Sequence, residues 1–358
     1  MEKETKIERV RRYIKENGLS GILVSGVSNF SWLTGGKKNF VGLNTEKGVC
    51  SILITPDKSF LLTTNIEYPR IFEEEISDWE FIVKNWYKEN ELFEEVKKIC
   101  KGKIGSDIPT NFTVLVKLEK LHFPLVDEEI DRYKEVGKLA SESITEISKV
   151  IKPGMKETEI AGIVSQKLWE KDIIPVVILV GADERIEKYR HPIPTEKKLD
   201  KRVLIAICGK RYGLIVSLTR IVNFGKLEES ILRKHKSVCF VDTVFIDETR
   251  PDVKMSDIFK KAKSSYKETG FENEWQLHHQ GGPTGYSTRY FRVTEETDEK
   301  VIEKSSFAWN PSITGTKSED TIIIEKDKNT IITEDKNWPM IEVEYKGKIY
   351  KRPAILEK

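Results

Sequence analysis

Apolar positions near the start of the chain recur at helical spacing. Ile7, Val10 and Ile14 share one face and Gly18 supplies a stop, so the pattern predicts a helix over residues 4–17. Ile22, Leu23 and Val24 then read as a short buried strand. Cys50 to Thr55 and Phe60 to Thr64 flank Pro56-Asp57-Lys58, the signature of a hairpin closed by a type I turn. A polar helix over 90–101 leads to a strand over 103–106. Strands and helices alternating at these spacings predict a layered, mixed sheet.

A boundary falls near Pro124 to Asp131 and divides residues 1–128 from 129–358. Beyond it Val136, Leu139, Ala140, Ser143, Ile147 and Val150 trace one helical face, ended by Lys152-Pro153-Gly154. A second amphipathic helix starts at Thr158, with Ile160, Ile163, Val164 and Leu168 on its inner side. From Val176 onward the pattern turns to strands: Val203 to Ile207, Leu214 to Val216 and Thr321 to Glu325 are apolar and β-branched. A helix over 256–269 separates two of these sets. Two helices followed by antiparallel strands predict an α+β second domain, and Cys208 on its buried strand reads as core packing.

Composition narrows the class. With 60 Lys plus Arg against 58 Asp plus Glu, the net charge of +2 gives no global attraction to nucleic acid or to an anionic membrane. The longest apolar run, Ile173 to Ala182, is interrupted by Pro175 and falls short of the roughly 20 residues a bilayer needs. The charged N-terminus is unlike a secretory signal. Cys50, Cys100, Cys208 and Cys239 are scattered, which fits neither a disulfide framework nor a thiolate zinc site. A soluble, cytoplasmic protein is expected.

Specific landmarks carry a family resemblance. The order helix, Lys152-Pro-Gly-Met-Lys-Glu-Thr-Glu159, helix, strands resembles the catalytic domain of the creatinase, prolidase and aminopeptidase family. Ser28-Asn-Phe-Ser-Trp-Leu-Thr-Gly35 resembles the smaller domain of creatinase, prolidase and aminopeptidase P. The fold implied is α/β plus α+β: a small creatinase-type α/β domain over residues 1–128, then a pita-bread domain over 129–358. Homodimerisation is implied by the same resemblance.

Metallopeptidases of this family hold two divalent cations through two Asp, one His and two Glu, so that a bridging water becomes a hydroxide near neutral pH. The resemblance carries these positions onto Ala206, Ser217, Gly282, Asn310 and Glu319, and only the last keeps an acid. A shift of register does not restore the set, because no Asp or Glu lies between Asp200 and Glu228, where composition predicts about four. The windows Glu274 to Glu295 and Glu303 to Glu319 enclose no acid either. One carboxylate does not hold two divalent ions against water, so no metal and no cofactor are expected.

Polar residues remain at the other site positions. The resemblance to creatinase, which uses a His as proton shuttle, makes His191, His278 and Glu319 the catalytic candidates. His279, Tyr286, Arg289, Asn310 and Lys317 are the substrate-binding candidates. Alternation along a strand sends at most one of His278 and His279 into the cleft, and His278 is favoured. The basic surroundings predict a small substrate bearing a carboxylate, met by Arg289, Lys317 or Arg220. The reading is a metal-independent hydrolase of a C–N bond in such a compound. A non-catalytic binding protein on the same scaffold and a metal-dependent Xaa-Pro peptidase are the alternatives.

Overall fold

The computed structural model describes residues 2–358, and the chain divides into two compact units, Met1–Glu128 and Glu129–Lys358. In the first unit the helix Glu2–Glu16 buries Ile7, Val10 and Ile14, the face its spacing predicts. Strands β1 (Gly21–Gly26), β2 (Lys47–Ile54), β3 (Ser59–Thr64), β4 (Glu80–Lys84), β5 (Ile104–Ser106) and β6 (Val114–Leu115) form one mixed sheet in the order β4-β3-β2-β1-β5-β6. The hairpin between β2 and β3 is antiparallel, pairing Cys50 with Thr63 and Ile54 with Ser59. The Thr55 hydroxyl accepts the Lys58 N–H at 2.9 Å and closes its turn. The segment resembling the smaller family domain forms the helix Val27–Leu33, with Phe30, Trp32 and Leu33 fully buried.

The second unit opens with the helices Asp127–Val150 and Glu157–Trp169. Strands β7 (Ile174–Ala182), β8 (Arg202–Arg211) and β9 (Leu214–Asn223) follow, antiparallel to one another, with β18 (Leu356–Glu357) added beside β9. A second pair of helices, Glu229–Glu248 and Met255–Glu268, comes next. The first of these is absent from the periodicity reading, which places strands there. It is helical because burial encloses most of its circumference: Val238, Cys239, Val241, Val244, Phe245 and Ile246 are all in the core. From Val238 onward no polar face survives to mark a 3.6-residue period.

Four short strands, β10 (Gly281–Thr284), β11 (Ser306–Trp309), β14 (Asp320–Ile323) and β15 (Thr330–Ile331), make another sheet, with β12 (Ser312–Ile313) and β13 (Thr316–Lys317) as a small hairpin between them in sequence. Strands β16 (Met340–Tyr345) and β17 (Lys348–Pro353) form a further antiparallel pair. Trp309 stacks on Phe245 with ring centroids 4.4 Å apart, tying β11 to the second helix pair. The contact fixes the strand that ends where Asn310 begins.

Two connections position the site. The Thr219 N–H donates to the Glu319 carbonyl at 3.1 Å, and the Ser217 N–H donates to the Thr321 hydroxyl at 2.7 Å, so β9 is stitched to β14 and the residue before it. Beneath them lies a buried ionic chain. Arg352 reaches both Asp242 and Asp320, and Asp320 in turn accepts from Arg220 at 2.9 Å. Each charge in this chain is paired, as buried charges must be. Arg220 is therefore a structural cation held away from the cleft, which corrects its assignment as a possible substrate contact.

Candidate active site

The register of β8 and β9 builds the floor of the cleft. Ala206 faces Thr219 and Cys208 faces Ser217 across the pair. Residues directly opposite in an antiparallel ladder share a face, as do residues two apart, so all four side chains lie on one side of the sheet. Cys208 is consequently a lining residue and not core filling; its Sγ lies 3.3 Å from the Ser217 hydroxyl. Burial, with Glu319 adding to it, raises its thiol pKa above the ordinary value.

Glu319 sits over this floor with three donors on its carboxylate. Lys317 Nζ donates to Oε2 at 2.6 Å, the Thr219 hydroxyl donates to the same oxygen at 2.6 Å, and Arg289 Nη2 donates to Oε1 at 3.1 Å. The other arm of Arg289 donates to the Ser217 hydroxyl at 3.1 Å. Burial alone would raise the Glu319 pKa. The charges of Lys317 and Arg289, with the bonds from Lys317 and Thr219, outweigh it and hold the carboxyl at about 2. The group is ionised and carries two cations.

A dinuclear metal centre was tested against these donors. The positions matched to the two Asp are a methyl and a hydroxyl, at Ala206 and Ser217, and Asn310 offers a neutral amide whose Oδ1 is buried without a partner. At Gly282 an added Cβ would lie 2.5 Å from the Phe291 carbonyl oxygen, so the backbone leaves no room for a histidine. The single carboxylate is already shared between Lys317 and Arg289. This donor set does not fit two divalent ions, which need several anionic oxygens.

Three imidazoles gather at the same cleft. His191 and His278 approach through their Nε2 atoms at 3.1 Å, and the His279 ring lies 4.6 Å from that of His278 and 5.9 Å from that of His191, centroid to centroid. His191 is exposed, His278 buried and His279 intermediate. The alternation argument fails here because residues 278–280 precede β10 and are not in regular strand. Both neighbours approach His191, and it is His279, not the favoured His278, that lines the cleft. Burial, then the Arg289, Arg292 and Lys317 charges, lowers the His279 pKa to about 4. Burial followed by the Lys317 charge also lowers His191, with Glu319 opposing, and burial with Lys317 pushes His278 down further. All three rings are neutral at pH 7.

The cleft encloses about 470 Å³ and takes in His191, His279, Arg289, Asn310, Lys317 and Glu319. Tyr286 is not among its residues. Its ring is buried and its hydroxyl donates to Glu129 at 2.7 Å, so it anchors the loop after β10 to the first long helix. A buried phenol needs a hydrogen-bond partner, and Glu129 supplies it, which corrects the substrate-binding assignment. Arg292 was missed. It lines the cleft and has no ion-pair partner among the described residues. Its signal in the sequence is the pair Arg289 and Arg292 three apart in an acid-free window.

Comparison with known proteins adds the following. Residues 6–136 match the Creatinase/Prolidase N-terminal domain and residues 131–328 match Metallopeptidase family M24. A prolidase from Pyrococcus horikoshii OT3 is 18% identical, with a TM-score of 0.78 over 92% of this chain and 98% of that one. An Xaa-Pro dipeptidase from Bacillus anthracis is also 18% identical, with a TM-score of 0.78 over 99% and 100%. The N-terminal domain of the FACT complex subunit SPT16 from chickpea shares the fold as well, at 12% identity and a TM-score of 0.71 over 93% and 95%. An uncharacterized peptidase of Staphylococcus haemolyticus is 24% identical over 220 residues, 58% of this chain. That match spans 61% of the relative's length.

Proposed function

This chain belongs to metallopeptidase family M24, with a creatinase-type N-terminal domain ahead of an M24 pita-bread domain, and from that premise we propose that its cleft acts on a small carboxylate-bearing compound without the dinuclear centre. The observation that carries the reading is the charge of the cleft. Lys317 and Arg289 share one carboxylate, Glu319, which leaves one positive charge over. Arg292 adds another with no acid beside it. A low-dielectric pocket with surplus positive charge selects an anion, and a guanidinium presents a two-pronged fork to a carboxylate.

The reaction proposed is hydrolysis of a C–N bond. His191, neutral and exposed to the cleft, accepts a proton from water as its oxygen bonds to carbon. The C–N bond breaks, and the imidazolium returns the proton to the leaving nitrogen. His278 holds the ring through the 3.1 Å nitrogen contact, and Glu319 keeps Lys317 and Arg289 in place. The second reading, binding without turnover, is favoured by the three donors already on Glu319, which leave one lone pair, on Oε1, for a substrate.

Calorimetric titration with a panel of small carboxylates and N-acyl amino acids tests the substrate class. Arg292→Ala is expected to weaken binding by about 1.5–3 kcal/mol, the worth of a hydrogen bond to a charged group. Unchanged affinity would refute the charge argument. Turnover by the same compounds, abolished in His191→Gln with binding kept, separates enzyme from binder. From the family resemblance we also carry forward a cytoplasmic homodimer, for which light scattering reads the mass directly.

A further inference from the structure

The proposed reaction uses the imidazole group only through His191, yet the three rings form a donor set of their own. We infer that His191, His278 and His279 together make a site for one transition-metal ion of the zinc class. Imidazole nitrogens suit Zn²⁺, Ni²⁺ and Cu²⁺ better than they suit hard cations. Tetrahedral zinc with Zn–N bonds of about 2.0–2.1 Å sets its nitrogens roughly 3.4 Å apart. The Nε2 atoms of His191 and His278 are already 3.1 Å apart. One ring nitrogen from each of the three residues lies within 4.8 Å of the other two. The widest of these separations has to close by roughly 1.4 Å to meet zinc geometry, and His191 is the exposed ring of the three.

A second observation points the same way. Nδ1 of His279 is buried without a hydrogen-bond partner. Burying such an atom unpaired costs on the order of 1–3 kcal/mol, and an ion coordinated by that nitrogen relieves the cost. His278 ligates through Nε2, so the ion leaves its Nδ1 without a partner. Three imidazoles leave the fourth position of a tetrahedral ion open, toward the cleft. With neutral ligands and cations nearby, that position calls for an anion, either hydroxide or a carboxylate. The inference goes beyond the proposed reaction and stands apart from it. An ion here would take up the His191 lone pair, so a cleft working through free His191 would be inhibited by zinc.

The test needs no substrate. The full chain is stripped with chelator, incubated with excess Zn²⁺, desalted and assayed by mass spectrometry, with Co²⁺ substitution read by visible absorption. About one ion per chain and a tetrahedral cobalt spectrum are expected. His191→Gln and His279→Gln should each weaken retention by at least about 10-fold, the loss reported even for groups one shell out from a metal. His191 is exposed, so its replacement leaves folding intact, checked by circular dichroism. No retained zinc, or retention unchanged in His191→Gln and His279→Gln, would overturn the site. Either result leaves the Arg292 titration to be judged separately.

Discussion

Replacing Glu319 by Gln removes one charge from a buried cluster and reports on what that charge does. Glu319 accepts from Lys317, Arg289 and Thr219, so the amide leaves two buried cations without their anion and turns an N–H toward one of them. Breaking a buried pair by removing one partner costs about 3–5 kcal/mol. The lowered pKa points the same way, since the charges of Lys317 and Arg289 hold the carboxylate ionised against its burial. For a unit of this size, each kcal/mol lowers Tm by about 2–4 °C, so a fall of roughly 6–20 °C is expected in chelator-treated protein at pH 7.5. The sign with pH follows from the lowered pKa. The contribution is complete above about pH 4.5 and is lost as pH falls toward 2, so wild type and variant should converge in acid. A metal-ligand Glu in an empty cluster of carboxylates would behave oppositely, since removing one of several like charges relieves repulsion. An unchanged or raised Tm in Glu319→Gln therefore refutes the reasoning.

Other expectations are simpler. His122 and His235 are fully buried and neutral, with pKa values pushed by burial to about 3 and about 4. The unfolded chain takes up protons that the native rings refuse, so stability falls as pH drops below about 6.5, by about 2 kcal/mol per ring at pH 5. Denaturant melts at pH 7.5 and 5.0 measure this loss, and equal midpoints would contradict it. Restoring the family's histidine with Gly282→His is expected to cost at least about 1–3 kcal/mol by overpacking. The 2.5 Å approach of a Cβ to the Phe291 carbonyl requires the loop to move; a variant as stable as wild type would show the space exists.

Several helices of the second unit follow from local pattern because each has one buried and one wet face. The helix Glu157–Trp169 is legible through Ile160, Val164 and Leu168, and Met255–Glu268 through Ile258, Phe259 and Ala262. Glu229–Glu248 is not, since Val238-Cys-Phe-Val-Asp-Thr-Val-Phe-Ile246 is β-branched and buried nearly all round. Its Asp242 finds Arg352, 110 positions away, and no local rule reads a partner at that distance. In the site, the thinning of acids is visible in sequence, but its consequence is not. Lys317 lies two residues from Glu319, whereas Arg289 meets it through the β10-β11-β14 pairing, and Thr219 through the link from β9. Tyr286 and Arg220 carry the right chemistry and point elsewhere. His278 and His279 escape the alternation rule because the chain there is not yet a strand.

The central claim is that Glu319 serves two side-chain cations instead of two metal ions. Mn²⁺ is the discriminating probe, being hard and best held by carboxylates. Wild type and Glu319→Gln are incubated with excess Mn²⁺, desalted and counted by mass spectrometry in parallel. The account predicts no retained manganese pair in either protein. Two ions per chain in wild type, lost on Glu319→Gln, would contradict it and restore a dinuclear centre to this cleft.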